Sequence, residues 1–190
     1  MMNNVVDRAK NIVLAPKTEW TVIDAEPTSV QDIYARYLVP LALIPAIAGF
    51  IGMTIVGISI PGLGTVRTGI FAGLMQAILQ FGVSLAMVYV FALIIDALAP
   101  TFGGQRNQLA AFKVAAYSMT PAFLAGIFSL IPALSLLGLV GLYSIYLLYL
   151  GLPRLIRAPD DKAVAYTAVV VVAAIALWIV IFGILAAILT

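Results

Sequence analysis

Four stretches of this 190-residue chain, at 38–60, 69–95, 114–153 and 163–189, carry no charged side chain. A helix that crosses the ~30 Å hydrocarbon core of a bilayer needs about 20 predominantly apolar residues, and every one of these stretches is long enough. The third holds 40 residues. As one helix it would extend about 60 Å at 1.5 Å per residue, twice what a single crossing uses. The length predicts a hairpin with its reversal around 131–135, where Pro132 lacks an N–H and Ser135 and Gly138 follow. Five spans result.

The distribution of basic residues tests that count, because Lys and Arg accumulate in short cytoplasmic loops. With five spans, one side receives Arg8, Lys10, Lys17, Arg36, Arg106, Lys113, Arg154, Arg157 and Lys162, and the other receives only Arg67. If the third stretch crossed once, Arg154, Arg157 and Lys162 would change sides and the bias would weaken. The expected fold is all-α: an integral membrane bundle of five transmembrane helices at 37–190, preceded by an amphipathic cytoplasmic segment at 1–36. The N-terminus is expected inside and the C-terminus in the periplasm or extracellular space. The first apolar run begins only after Arg36, which does not match a cleaved signal peptide.

Composition narrows the function. Hydrophobic residues make up 64% of the chain and charged residues 9%, against roughly 25% charged in ordinary soluble domains, so lipid is the expected solvent and partner. The absence of Cys and His removes thiolate chemistry, imidazole metal ligands and the usual general base near neutral pH. Paired acids, a Ser/Lys couple or a metal set would be needed for intramembrane hydrolysis, and none is spaced for it. No catalytic, cofactor-binding or metal-ligating residue is assigned, and the chain is expected not to be an enzyme. A net charge of +2 offers nucleic acid no footprint.

In the N-terminal segment, Val5, Val6, Ala9, Ile12 and Val13 recur at helical spacing while Asp7, Arg8, Lys10 and Asn11 take the other face. Such a helix would lie on the membrane surface or pack on the bundle's own loops. Pro16 ends this element or opens the next, and Trp20 with Ile23 is expected at the interface. Thr28 followed by Gln31 has the form of a capping box, starting a helix that carries Asp32, Tyr34 and Arg36 into the first span.

Within the spans, Pro40, Pro45 and Pro121 predict kinks, with Ser118 and Thr120 beside Pro121 to satisfy freed backbone groups. Gly69 and Gly73, and Ala48 with Gly52, predict close helix contacts, within the chain or between copies. Gln76, Gln80 and Ser84 share one stripe of the second span and would hydrogen-bond across helices or wet a cavity. Asp96, the one carboxylate in an apolar run, points away from that stripe and lies near Arg106 and Lys113, so an ion pair with one of them is the favoured reading over a proton-carrying role. Tyr143, Tyr146 and Tyr149 read as packing or an interfacial belt, whereas Trp178 is expected to face protein. The loop carrying Arg154, Arg157, Asp160 and Lys162 would attract an anionic headgroup, although the orientation rule accounts for its cations and ranks first.

Four segments carry a family resemblance: PKTEWTVIDAEPTS at 16–29, LAPTFGG at 98–104, AYSMTPAFLAG at 116–126 and YLLYLGLPRLIRAPDDKAVAYT at 146–167. Together they resemble the bacterial branch of the Yip membrane proteins, relatives of the eukaryotic Ypt-interacting proteins of vesicle traffic. The resemblance implies five spans with a cytoplasmic N-terminus. Eukaryotic members typically have Asp-Leu-Tyr-Gly-Pro before the first span and Gly-Tyr in the third. Here the matches are Asp32, Ile33 and Tyr34 followed by Ala35 and Arg36, and Ala116 with Tyr117, departures that weigh against Rab-type GTPase binding.

The expected function is that of a non-enzymatic scaffold in a bacterial inner membrane, associating with itself or with other membrane proteins and shaping the bilayer through its N-terminal segment. The competing reading is a small-solute or ion channel or transporter with a polar path near Gln76, Gln80 and Asp96. Five spans without an internal repeat fit paired-repeat transporters poorly.

Overall fold

The structure is a computed structural model that describes residues 4–60, 62 and 64–189, with side chains described as far as Val180 except at Ile60. Five helices long and apolar enough to cross a membrane run over Val30–Val56, Ile70–Phe102, Gln108–Leu130, Pro132–Ile156 and Asp160–Val180. The third is the central one: 67% of its most apolar window is buried, against 17–28% for the other four. It packs against the first, second and fourth spans, and the fifth closes against the second and fourth. The expected reversal is present at Ile131, whose extended backbone (φ −121°, ψ 103°) separates the two arms, with Pro132 opening the fourth span.

Pro45 lies inside the helix of the first span, and Pro40 and Pro121 each leave a local mark on the backbone. Pro40 cannot donate to the Arg36 carbonyl, and the first span adopts π-helical turns over Tyr34–Leu38 just before it. Pro121 frees the Tyr117 carbonyl, which the Thr120 hydroxyl fills at 2.7 Å. Ser118 takes no such role, since its Oγ is buried without a hydrogen-bond partner among the described residues.

The small-residue pairs hold the chain's own helices together. A Cβ at Gly52 would lie 2.0 Å from the Ser129 carbonyl oxygen, and one at Gly73 would lie 2.3 Å from Thr54 Cγ2. Gly69 faces open space, so only the second member of its pair mediates an intrachain contact. Between the first two spans is a feature that the apolar pattern did not announce, an antiparallel hairpin of β1 (Ile58–Ile60) and β2 (Gly64–Val66) with Ile58 opposite Val66.

Two short helices precede the bundle, α1 (Val5–Leu14) and α2 (Pro16–Ala25), with Pro16 opening the second. They pack on the bundle, α2 against the fourth span and α1 against the second half of the third. Trp20 and Ile23 are accordingly core residues, not interfacial ones. Gly151 makes room for the indole: a Cβ there would lie 2.8 Å from Trp20 Cζ2. The cap of the first span is Ser29, one residue after the expected Thr28. Its hydroxyl accepts from the Asp32 N–H at 3.1 Å and donates to the Asp32 carboxylate at 2.6 Å, so the box closes on Asp32 and not Gln31.

Candidate functional site

Charged and aromatic side chains converge where α1 and α2 meet the third span. Arg8 belongs to the buried face of α1, with Ala9 and Ile12, and is only 2% exposed, in contrast to the solvent-facing role expected of it. Its guanidinium spans Glu19 and Glu26, pairing with both carboxylates. Lys113, at the start of the third span, donates to the carbonyls of Ile23 and Glu26, each at 2.7 Å. These lie at the end of α2, where the last carbonyls of a helix lack intrahelical partners and its dipole favours a cation.

Tyr117 completes this cluster from the third span. Its ring meets Tyr37 at 4.7 Å and Trp20 edge-on at 6.4 Å, and the Arg8 guanidinium carbon sits 5.8 Å from the ring centroid. Because the Thr120 hydroxyl gives its proton to the Tyr117 carbonyl, the 2.6 Å contact between Tyr37 and Thr120 has Tyr37 as donor. Pro121 is buried directly below. Tyr34 donates to the Leu85 carbonyl at 3.0 Å, tying the first span to the second, while Asp32 adds only an exposed 3.9 Å pair with Arg36 to its cap.

Asp96 does not form the expected ion pair. Lys113 is held by α2, and Arg106 is exposed in the loop with no ion pair among the described residues. Asp96 Oδ1 is buried without a hydrogen-bond partner among those residues. Next to it in sequence, the Ile95 carbonyl accepts from the buried Tyr166 hydroxyl of the fifth span. The expectation failed because Lys113 is drawn to carbonyls roughly 90 positions earlier in the chain, a preference that local spacing does not carry.

At the end of the fourth span, Arg154 donates to the Thr21 hydroxyl at 2.7 Å, and Arg157 to Asp24 at 2.8 Å and to the Arg154 carbonyl at 2.6 Å. Asp160 joins Arg154 and Arg157 in lining a cleft there, while Lys162 lies in the turn that leads into the fifth span. Gln76 and Gln80 are exposed on the second span, and Ser84 satisfies itself on the Phe81 carbonyl at 2.8 Å. Trp178 is 53% exposed, where a ring facing protein is expected to be largely covered. Among the described residues no group of three or more His, Cys, Asp or Glu side chains could hold a metal.

Sequence reasoning missed Glu19 and Glu26 and misplaced Arg8 and Trp20. One signal was available: Val5, Arg8, Ala9 and Ile12 fall at i, i+3, i+4 and i+7, so Arg8 lies inside the apolar stripe.

Residues 10–182, from the end of α1 into the fifth span and thus without Arg8, match a family model for the Yip1 domain. The chain belongs to the Yip1-domain family. A relative within reach of sequence comparison is the inner membrane protein YohC of Escherichia coli K12, 38% identical over 119 residues, or 62% of this chain and 60% of that protein. The protein of the same name in Escherichia coli O6:H1 strain CFT073 matches equally. The Yip1-domain chain thus aligns with about three-fifths of the length of these curated relatives. No solved structure matches it. With five apolar helices and this family assignment, the Yip1-domain chain is a multi-pass membrane protein.

Proposed function

We propose that the protein is a non-catalytic scaffold of the bacterial inner membrane, oriented with its basic end in the cytoplasm, which associates laterally with a second copy through its second span. The observation that carries this reading is the exposure of Gln76 and Gln80 in a span whose surface also presents Phe71, Leu74, Met75, Ile78 and Leu79. Gln80 lies ten residues into the span, about 15 Å along its axis, which is membrane depth. An amide facing hydrocarbon leaves its donors and acceptor unsatisfied, whereas a facing amide from another helix restores them for about 0.6–2 kcal/mol per contact. The polar groups at the other end are already engaged, Arg8 with two carboxylates and Lys113 with two carbonyls. That engagement favours a structural role for them over chemistry.

The transport reading has less support. A conducting path would need Gln76, Gln80 and Asp96 around one enclosed interior, yet the glutamines are exposed and Asp96 lies sixteen residues beyond Gln80, about 24 Å along the helix.

The chain has no cysteine, so single cysteines report contacts cleanly. Gln80→Cys in native membranes should give a disulfide-linked dimer on oxidation, and Val172→Cys, on the exposed side of the fifth span, should not. Equal crosslinking at both positions would indicate random collision and refute the second-span interface.

A further inference from the structure

The geometry points to a binding site for the phosphate of an anionic phospholipid headgroup in the cleft between α2 and the end of the fourth span. The cleft has a volume of about 640 Å³, and its charged and aromatic lining comes from Lys17, Trp20, Tyr149, Arg154, Arg157 and Asp160. Three cations therefore face one carboxylate. Even when Asp24, the partner of Arg157, is counted, the cleft keeps an excess of positive charge. Arg154 has only the neutral Thr21 hydroxyl as its side-chain partner, and Lys17 forms no ion pair among the described residues. Two cations are thus available to an anion. Guanidinium groups match phosphate oxygens in charge and in geometry.

One of the three cations, Arg157, is also held in place. Arg157 has a left-handed backbone (φ 60°), the only positive φ at a non-glycine among the described residues, and its side chain is tied to both Asp24 and the Arg154 carbonyl. A helix end that turns this way normally takes glycine. An arginine there accepts backbone strain and in return places a guanidinium at the cleft, and such strain gathers at ligand sites.

The remaining walls select the lipid over a soluble anion. Leu150, Pro153, Ala158 and Pro159 make much of the lining apolar. The fourth span ends here at Ile156, so the cleft sits at the level of headgroups, and Ile145 and Tyr146 along the same span are exposed to receive acyl chains. Trp20, whose indole packs on Gly151, and Tyr149 supply aromatic walls. The Trp20 Nε1 is buried with no hydrogen-bond partner among the described residues.

The full-length protein carrying Trp178→Phe, with Trp20 as its remaining tryptophan, can be titrated in neutral detergent with dioleoylphosphatidylglycerol, dioleoylphosphatidylcholine or inorganic phosphate. Trp20 fluorescence should change saturably with phosphatidylglycerol and not with the other two. Lys17→Gln, at an exposed position, should weaken the response about fivefold with an unchanged unfolding temperature. Arg154→Gln should weaken it by at least as much, with Arg154→Lys restoring part of it. Equal responses to both lipids would overturn the site, an equal response to inorganic phosphate would overturn its assignment to lipid, and an undiminished response in Lys17→Gln would overturn the role of the cations.

Discussion

The two ends of this bundle are built on different physics. At the end that carries α1 and α2, the buried side chains include Arg8, Glu19, Lys113 and Thr120 together with Trp20, Tyr37 and Tyr117. Arg8, Glu19, Lys113 and Thr120 are each tied to a partner of opposite charge or to a backbone carbonyl. At the opposite end the helices present apolar surface outward, with Phe71 79% and Leu136 75% exposed, and approach one another where glycine permits, as at Gly52 and Gly73. Lipid solvates that surface as well as protein would, so packing there gains no hydrophobic driving force and rests on close van der Waals contact. The contrast teaches that membrane helices can be held in register by a polar cluster at one rim, leaving the other end free to present a lateral face.

The largest loss of stability is expected from unlocking the polar end. Arg8→Ala leaves the buried Glu19 and the partly buried Glu26 without their cation, and unfolding in detergent mixtures should register a loss of about 3–5 kcal/mol. A loss below 1 kcal/mol would mean that α1 and α2 are merely adsorbed. At the opposite end, Gly52→Ala drives a methyl into the Ser129 carbonyl and should cost about 1–3 kcal/mol by the same assay, as overpacking does. A neutral result would show that the first and third spans separate freely there.

Smaller effects sharpen the picture. Ser29→Ala should cost about 1 kcal/mol, the usual loss for an N-cap, and should speed hydrogen exchange at Asp32. The reverse pattern, with Thr28→Ala more costly, would return the cap to the earlier residue. Asp96→Asn should change stability by no more than about 0.5 kcal/mol, since no ion pair is broken and a buried carboxylate oxygen loses its charge. A larger loss would reveal a partner for Asp96.

Much of the fold was legible because hydrocarbon imposes a length. Uncharged stretches at 38–60, 69–95, 114–153 and 163–189 admit few arrangements, and Pro132 marked the one break that they needed. The polar cluster was not legible to the same degree. Lys113 bonds to Ile23 and Glu26 across 90 and 87 positions, and no periodicity records such a choice. Asp96 was therefore given Lys113 as a neighbour by proximity along the chain alone. The depth of Trp178 in the fifth span suggests a ring that faces protein, but depth does not fix rotation about a helix axis. Arg154, Arg157 and Asp160 were visible as a charged loop, while the cleft they form depends on α2 folding back to bring Lys17 and Trp20 against them.

The central claim is that Arg8 and the α2 carboxylates act as one locking unit. A double-mutant cycle on Arg8→Met and Glu19→Gln, measured by unfolding in one detergent mixture, tests it most directly. Coupling between the two sites of at least about 1 kcal/mol is predicted, in the range found for contacting groups, so that the second substitution costs much less once the first is made. Additivity to within about 0.3–0.5 kcal/mol, the behaviour of independent sites, would contradict the account.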